Sequence, residues 1–282
     1  MKVAVIVLNY NSSSDCKKCI SYLLKQEEVE LDIVVVDNCS SKEDRSKLEQ
    51  ILKDYMNLGN HKITYIPSDV NKGYNAGNNI GLRFASSQGY EYALIANPDM
   101  EFPDTTYIKS MILEMERNSE IVVQGSDIVN SNGQHQNPQR ETNYLEELFW
   151  PLQFLKNKKN KIWNTLDYTR TTFCQKISGC CLLLKLSFLE KNNFFDENVF
   201  LYSEESILGA QVRISGKKML YNSKIRAIHN HIEKKKGNVK TRMQILFSSR
   251  WYYLKTYGGY SKFALFLLLV SKTIEKIRFY RI

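Results

Sequence analysis

The sequence predicts an α/β fold with a mostly parallel central sheet flanked by helices and followed by a C-terminal helical extension. Apolar, β-branched runs of strand length, beginning with residues 3–8 and 31–36, alternate with segments whose apolar residues recur at helical spacing. Two such units in series imply parallel strands joined by right-handed crossovers. The chain has 282 residues, of which 43% are hydrophobic, so it can bury a substantial core.

Polar residues follow each of the first two predicted strands. The first strand ends at Asn9-Tyr10-Asn11 and the second at Asp37-Asn38. Because the carboxyl ends of parallel strands share one edge of a sheet, these turns should meet where open α/β sheets bind ligands. Asp37 suits an acceptor for a nucleotide base or ribose, and it suits a helix N-cap equally well.

A segment rich in glycine and asparagine, residues 71–81, follows a third predicted strand at 63–66. Its glycines recur every four residues, a spacing that matches neither the dinucleotide fingerprint nor the P-loop. We predict a loop that leads into a helix from about residue 78 to residue 87. Glycines in the loop would let the backbone approach a ligand, and amides at the helix start could meet an anion. An ordinary surface loop is the alternative.

The fourth predicted strand, residues 92–96, stops at Asn97-Pro98-Asp99. Proline donates no ladder hydrogen bond and restricts the residue before it, so the strand must end here. Asp99 should therefore lie just beyond the carboxyl end of a strand. One carboxylate in that place suits a divalent cation that substrate phosphates also hold. Asn-Pro-Asp is also common turn chemistry, which is the simpler interpretation.

The second half of the chain is less regular. Strands are predicted at residues 121–125 and 177–184, and two short strands at 218–221 and 225–228. Residues 134–176 mix polar and aromatic side chains, and this pattern predicts a loop-rich insert that covers a cleft or packs as an irregular flap.

Three further residues are candidates for ligand or metal binding. Glu204 and Glu205 begin a predicted helix, where they could serve a ligand or merely complement the helix dipole. His229 ends the last predicted strand. A lone histidine is more often structural, but at a strand end it could complete a carboxylate metal site.

The formal net charge of +9 limits the class of partner. Lysine-rich stretches lie at residues 156–161 and 234–236, and four more basic residues lie among the last twenty. This excess suits an anionic membrane, nucleic acid or anionic substrates. No nucleic-acid-binding signature accompanies it, so we expect no nucleic-acid partner. The six cysteines form no disulfide or zinc pattern, and no signal-peptide pattern opens the chain, which favours the cytoplasm.

Residues 263–270 form the most apolar run of the chain. The run is too short to span a bilayer, which needs about 20 residues. Basic residues surround it, as expected for a helix that lies in an anionic membrane interface. A helix packed on the domain, or a homodimer contact, is the alternative.

Taken in order, these motifs resemble the family 2 inverting glycosyltransferases, which have the Rossmann-like GT-A fold. The bacterial rhamnosyltransferase-like and capsule or O-antigen members are the most similar branch. The resemblance covers roughly residues 3–231, and the order and spacing of the motifs carry it. The matching segments are residues 7–11, 35–40, 71–81, 97–99, 178–180, 195–197, 202–205 and 228–229.

The resemblance implies metal-dependent transfer of a sugar from dTDP-rhamnose or a UDP-hexose to a glycan or lipid-linked acceptor in cell-surface polysaccharide synthesis. Mg²⁺ or Mn²⁺ would be held by Asp99 and His229, because Asn97 replaces the first aspartate of the family's Asp-x-Asp motif. Glu205 would be the catalytic base, with Glu204 as the next candidate. The implied nucleotide-sugar-binding residues are Asn9, Asn11, Asp37, Asn71, Gly73, Asn78, Asn97 and Asp99.

The resemblance also implies a division of the chain. Residues 1–235 would form the GT-A domain, with a nucleotide-sugar half at 1–130 and an acceptor half at 131–235. Residues 236–282 lie beyond the resemblance, and from the apolar run described above we expect them to form C-terminal helices at the inner face of a bacterial membrane, with packing on the domain or a homodimer contact as the alternative. A non-catalytic nucleotide-binding domain or a nucleotidyltransferase is the rival. The latter favours a glycine-rich loop with a basic residue near the first strand, which residues 9–12 lack.

Overall fold

The computed structural model describes residues 2–56, 61–149, 166–230 and 238–280. Within them the predicted α/β architecture is confirmed, because helices cover both faces of one central sheet. The strands are β1 (Lys2–Asn9), β2 (Glu30–Asn38), β3 (Lys62–Ser68), β4 (Tyr92–Ala96), β5 (Met100–Glu101), β6 (Ile121–Asn130), β7 (Thr172–Phe173), β8 (Cys181–Lys185) and β9 (Lys218–His229). The helices are α1 (Ser13–Leu23), α2 (Lys42–Met56), α3 (Tyr74–Ser87), α4 (Tyr107–Glu116), α5 (Tyr144–Leu148), α6 (Leu186–Lys191), α7 (Glu204–Ile214), α8 (Val239–Tyr257) and α9 (Lys262–Tyr280).

The sheet is mostly parallel at its centre and mixed toward one side. Its order is β3-β2-β1-β4-β8-β6-β9-β5, with β7 paired to β9. Strands β1 to β4 are parallel, β8 runs antiparallel to both β4 and β6, and β6 is parallel to β9. The carboxyl ends of β1, β2 and β4 therefore lie side by side.

Strand β1 shows why its sequence is a continuous apolar run. Val5 and Val7 point into a core shared with α1, α2 and α4, whereas Ala4 and Ile6 point into a second core under α3, α6 and α7. A strand covered on both faces has no place for a polar side chain. Each large aliphatic side chain buried here stabilises the fold by about 1.5–3 kcal/mol.

Helix α3 begins at Tyr74, four residues before the predicted start near residue 78. Gly77 is therefore helical, and the expectation that it belongs to a ligand-binding loop is wrong, whereas Gly81 is helical as predicted. A Cβ atom on Gly77 would lie 2.7 Å from Leu8 Cδ1, and one on Gly81 would lie 2.5 Å from Ile6 Cγ2. These glycines let α3 approach β1 closely, which is a packing requirement.

Two strand predictions in the second half are also corrected. The short strands expected at 218–221 and 225–228 are one strand, β9, whose pairing with β6 shifts register beside Ser126 and Asp127. The irregularity explains why the apolar alternation breaks there. Strand β8 begins at Cys181 rather than at residue 177, and the helix α6 that follows it was not predicted.

The C-terminal helices dock on the domain through polar anchors. On α8, the hydroxyl groups of Tyr252 and Tyr257 donate to Asp196 Oδ2 over 2.8 and 2.6 Å. On α9, Lys272 forms an ion pair of 2.9 Å with Glu147 of α5. The six cysteines are free thiols. No helix among the described residues is long and apolar enough to cross a membrane.

Some predictions fall on residues outside the described ranges. They include the lysine-rich stretches at 156–161 and 234–236 and the middle of the insert at 134–176. The described part of that insert contains α5 and β7.

Candidate active site

The polar turns after β1, β2 and β4 meet at one edge of the sheet, as predicted, and border a cleft of about 450 Å³. Four predicted site residues line this cleft: Asn71, Gly73, Asn97 and Asp99. The sequence analysis did not single out several other residues of its wall, which are Tyr10, Asn38, Tyr74, Phe200 and Asn230.

Asn9 and Asp37 contact each other behind the wall of the cleft, and both are fully buried. Asn9 Nδ2 donates to Asp37 Oδ1 over 2.9 Å and to Asp44 Oδ2 over 2.9 Å. Arg45 Nε donates to Asp37 Oδ2, also over 2.9 Å. Both carboxylate oxygens of Asp37 are thus engaged within the chain, and the pair holds two turns together. Its direct contact with a nucleotide stays a prediction.

Asn11 links the same two turns at the surface. Its backbone is left-handed, with φ of 52°, a conformation that asparagine tolerates well. Its Oδ1 accepts a hydrogen bond of 2.8 Å from the amide of Ser41, and its own amide donates to Ser40 Oγ. Asn11 therefore fixes the rim of the cleft, and its predicted nucleotide contact remains untested.

One wall of the cleft depends on a glycine. Gly73 has a φ of 104°, and a Cβ atom there would lie 2.3 Å from the carbonyl oxygen of Phe200. The amide of Tyr74 donates to that same oxygen over 2.8 Å. Asn38 Nδ2 donates to Asn71 Oδ1 over 3.1 Å and to the carbonyl of Gly73 over 3.2 Å. Asn38 directly follows Asp37 in the polar turn after β2, and this position could have identified it as a cleft residue.

Tyr74, rather than the predicted Asn78, places a polar group at the cleft. Asn78 is fully buried inside α3, where its Nδ2 donates to the carbonyl of Tyr74 over 3.0 Å. The Tyr74 hydroxyl lies at the cleft, 3.0 Å from Asn97 Oδ1 and 2.7 Å from the carbonyl of Gly179. Burial and the neighbouring Glu204 raise the pKa of Tyr74, so its hydroxyl keeps its proton. The predicted nucleotide contact of Asn78 stays a prediction.

Asp99 lines the cleft and contacts His229. Asp99 Oδ1 is 3.2 Å from His229 Nε2, and the pairing of β5 with β9 places both at this edge. The His229 Nδ1 atom lies 2.8 Å from Gln136 Oε1. Burial opposes a charged imidazole, but hydrogen bonds to Asp99 and Cys180 outweigh it and raise the pKa of His229 to about 10.

A divalent cation fits between the two side chains if it displaces the proton of Nε2, because only a deprotonated imidazole nitrogen binds a metal. Ligands about 2.1 Å from an octahedral ion, at adjacent positions, lie about 3 Å apart, which matches the observed 3.2 Å. A carboxylate with an imidazole suits Mn²⁺ better than Mg²⁺, which prefers oxygen ligands. Among the described residues, no group of three or more His, Cys, Asp or Glu side chains could hold a metal ion. A cation here would therefore need ligands from substrate or water.

The two acidic residues begin α7 as predicted, after two left-handed residues, Tyr202 and Ser203. Glu205 Oε1 accepts a hydrogen bond of 3.2 Å from the amide of Gly179. Glu204 Oε2 is buried without a hydrogen-bond partner among the described residues. Burial and the charge of Glu205 raise the pKa of Glu204 well above its ordinary value. Glu204 therefore favours its protonated, uncharged form.

Tyr74 lies between the acidic pair and the cleft. It lines the cleft and also a small cavity of about 10 Å³ that contains Glu204, Glu205 and Gly179. Tyr74 thus borders both the cleft lined by Asp99 and the small cavity lined by the predicted acidic pair.

Solved structures with this architecture are GT-A glycosyltransferases, which confirms the predicted fold class. The family model described as "Glycosyl transferase family 2" matches residues 4–179, more than half of the chain. The chain belongs to that family. The particular rhamnosyltransferase or capsule branch is not distinguished by this match.

One curated relative and two solved structures illustrate the proteins to which this chain is similar. The chain is 27% identical over 206 residues to the low-salt glycan biosynthesis hexosyltransferase Agl10 of Haloferax volcanii, covering 72% of this chain and 59% of Agl10. It therefore spans about three-fifths of the length of that relative. S. aureus TarS, residues 1–349 with UDP-GlcNAc, has a TM-score of 0.62 at 17% identity, covering 90% of this chain and 67% of TarS. The mannosyltransferase PcManGT of Pyrobaculum calidifontis, in complex with GDP-Man and Mn²⁺, has a TM-score of 0.60 at 16% identity, covering 95% and 73%.

Proposed function

We propose that this chain is an inverting glycosyltransferase that moves a sugar from a nucleotide-sugar donor to a glycan or lipid-linked oligosaccharide acceptor. The donor would be dTDP-rhamnose or a UDP-hexose, and the product would enter cell-surface polysaccharide, as in capsule or O-antigen synthesis. The observation that carries the proposal is the cleft beyond β1, β2 and β4, which is lined by Asp99 in contact with His229. Family membership and the name of the Agl10 relative support it.

The nucleoside would occupy the part of the cleft near the first two turns. Tyr10 lines this part with a ring that is 48% exposed, and such a ring can stack on a base. Asn38 and Asn71 present amide groups beside it. The buried pair of Asn9 and Asp37 would then act from behind by keeping these turns in register.

The diphosphate would extend toward Asp99 and His229. These two side chains would hold Mn²⁺ or Mg²⁺ together with the phosphate oxygens. A bound cation supplies charge neutralisation for the departing nucleoside diphosphate. Asn97 has no charge, and its Oδ1 faces the Tyr74 hydroxyl. We therefore expect weak metal affinity until the diphosphate arrives.

The acidic pair would serve the acceptor. Glu205 removes the proton of the acceptor hydroxyl as that oxygen forms its bond to the anomeric carbon. The bond from that carbon to the diphosphate oxygen breaks on the opposite face, so the anomeric configuration inverts. The Gly179 amide holds Glu205 in place. Burial and the neighbouring Glu205 raise the pKa of Glu204, so Glu204 is the less suitable proton acceptor of the two.

Helix α9 supports a membrane-associated acceptor. Side chains three or four positions apart form an exposed apolar stripe, and their exposed fractions range from 44 to 72%. The stripe consists of Phe263, Phe266, Val270, Ile274 and Ile277. Basic residues accompany it at Lys262, Lys276 and Arg278. An apolar face with basic neighbours suits the surface of an anionic bilayer, and we place it at the cytoplasmic face of the cell membrane. A homodimer contact is the competing use of this stripe.

Three successive parts of the chain would have different binding partners. We propose that residues 1–130 bind the donor, that residues 131–235 bind the acceptor, and that residues 236–282 contact the membrane.

Thermal unfolding against UDP-, GDP- and dTDP-sugars, with and without Mn²⁺, tests the donor site. One donor should raise the melting temperature and should do so more strongly with Mn²⁺. A nucleotidyltransferase or a non-catalytic binder would instead favour a nucleoside triphosphate or show no turnover.

A further inference from the structure

Residues 135–137 pass directly behind His229 and are anchored on both sides of Gln136. His135 Nδ1 lies 2.6 Å from Asp127 Oδ1, and Asn137 Nδ2 donates to the carbonyl of Ser126 over 3.0 Å. The Gln136 amide itself donates to the carbonyl of Ile128 over 2.8 Å. The three residues thus run along β6 and leave the Gln136 side chain little freedom.

That side chain meets the imidazole of His229. Gln136 Oε1 is 2.8 Å from Nδ1 of the ring, and a carbonyl oxygen can only accept a hydrogen bond. With Oε1 turned to the ring, Gln136 accepts from an Nδ1–H group, and Nε2 is the nitrogen that faces Asp99 Oδ1 at 3.2 Å. In known metal sites, the hydrogen bond at one ring nitrogen fixes which nitrogen binds the ion and how the ring is oriented.

We propose that Gln136 is a positioning residue for the cation site, because it fixes the orientation of His229 with Nε2 directed toward Asp99. This inference rests on the proposed function, in which Asp99 and His229 hold a cation. It assigns a specific task to a segment that the sequence pattern marked only as an insert. The same segment also reaches the acceptor side, since Asn137 Oδ1 accepts from the amide of Ser178 over 2.8 Å, next to Gly179.

The test compares Gln136→Met, which keeps the length of the side chain but removes the acceptor oxygen, with Gln136→Glu, which retains it. Gln139→Met is the matched control, because Gln139 pairs through its backbone with Lys176 on the same segment. Mn²⁺ affinity is measured by electron paramagnetic resonance, with whichever of UDP, GDP or dTDP protects the wild-type chain. Melting temperatures of all variants report on folding.

We expect Gln136→Met to weaken Mn²⁺ binding by roughly 10- to 100-fold, the range seen when such partners of metal ligands are removed. Gln136→Glu and Gln139→Met should bind Mn²⁺ at least as well as the wild-type chain. Equal affinity in wild type and Gln136→Met would overturn this inference alone. Weakened binding in both Gln136 variants would also overturn it, since the acceptor oxygen would then be irrelevant. A wild-type chain that binds no Mn²⁺ would overturn the cation site and this inference with it.

Discussion

The backbone amide of Gly179 donates a hydrogen bond of 3.2 Å to Oε1 of Glu205, across 26 positions of the chain. This contact joins the residues before β8 to the first turn of α7, so the carboxylate has a fixed orientation. A general base must be held within reach of the proton that it removes, and this bond supplies that constraint.

Replacement of Glu205 by Gln should lower kcat by about 10²- to 10⁴-fold, the usual contribution of a positioned general base. Glu204→Gln should cost less than about tenfold, because glutamine has the shape of a protonated glutamate and the pKa of Glu204 is raised. Initial rates of nucleoside diphosphate release check both variants. A larger loss in Glu204→Gln than in Glu205→Gln would mean that the base is Glu204.

The same pair predicts a dependence of stability on pH. A carboxyl group whose pKa is raised in the folded state stabilises the fold while it is protonated, and that contribution is lost as the pH rises above about 4.3. Glutamine cannot ionise, so the Glu204→Gln variant should not lose this stability as the pH rises. Denaturant unfolding at pH 5 and pH 8 should therefore show the variant gaining stability over wild type at the higher pH. Parallel pH dependences of the two proteins would contradict the burial argument.

Asp99→Asn should reduce turnover at least about a hundredfold, because the lost carboxylate is the only charged protein ligand proposed for the cation. Mn²⁺ affinity, measured by isothermal titration calorimetry, should fall in the same variant. Asp54→Asn is the control, since Asp54 lies on α2 and contacts Gln50 at the surface. If Asp99→Asn retained Mn²⁺ binding, the cation would have to lie elsewhere.

Gly73→Ala should destabilise the protein more than Gly133→Ala. Both glycines have positive φ, 104° and 74°, so alanine is strained at either position by roughly 1–3 kcal/mol. Only at Gly73 would the new methyl group also meet backbone, 2.3 Å from the carbonyl oxygen of Phe200, whereas Gly133 has nothing within 4 Å. Melting temperatures measure the difference. Equal losses would show that Phe200 moves aside without cost.

Membrane contact should depend on the apolar stripe of α9. The triple variant Phe263→Ser, Phe266→Ser, Ile277→Ser should no longer float with phosphatidylglycerol-containing liposomes, whereas the wild type should. It leaves the ion pair of Lys272 with Glu147 intact, unlike removal of residues 258–282. Ile214→Ser is the control, because Ile214 is an apolar side chain on α7 that is more exposed than any of these three residues.

Unchanged flotation of the triple variant would refute the membrane assignment. A wild type that never floats and sediments as a dimer, with the triple variant sedimenting as a monomer, would assign the stripe to a second copy of the chain.

The strands and the place of the site could be predicted because their causes are local. A strand buried on both faces must be apolar throughout, and Asn97-Pro98-Asp99 must end one. Glycine spacing was less informative. It does not distinguish a backbone that approaches a ligand from one that approaches a sheet, so Gly77 was placed in a loop although it lies in α3.

Contacts between residues far apart in the sequence could not be predicted from sequence patterns. Tyr74 contacts Gly179 across 105 positions, and Gln136 contacts His229 across 93. Neither residue type is unusual in its local context. The mutual engagement of Asn9 and Asp37 was hidden for the same reason, since each alone looked available to a ligand.

The central claim is that the cleft binds a nucleotide sugar whose diphosphate leaves while Glu205 activates an acceptor. The most direct test measures Mn²⁺-dependent release of nucleoside diphosphate from UDP-, GDP- and dTDP-sugars, with a lipid extract or oligosaccharide acceptor, for wild type and Glu205→Gln. The account predicts release from one class of donor by the wild type, dependent on acceptor and nearly abolished in Glu205→Gln. Equal release by both proteins, or donor binding without release under any acceptor, would contradict it.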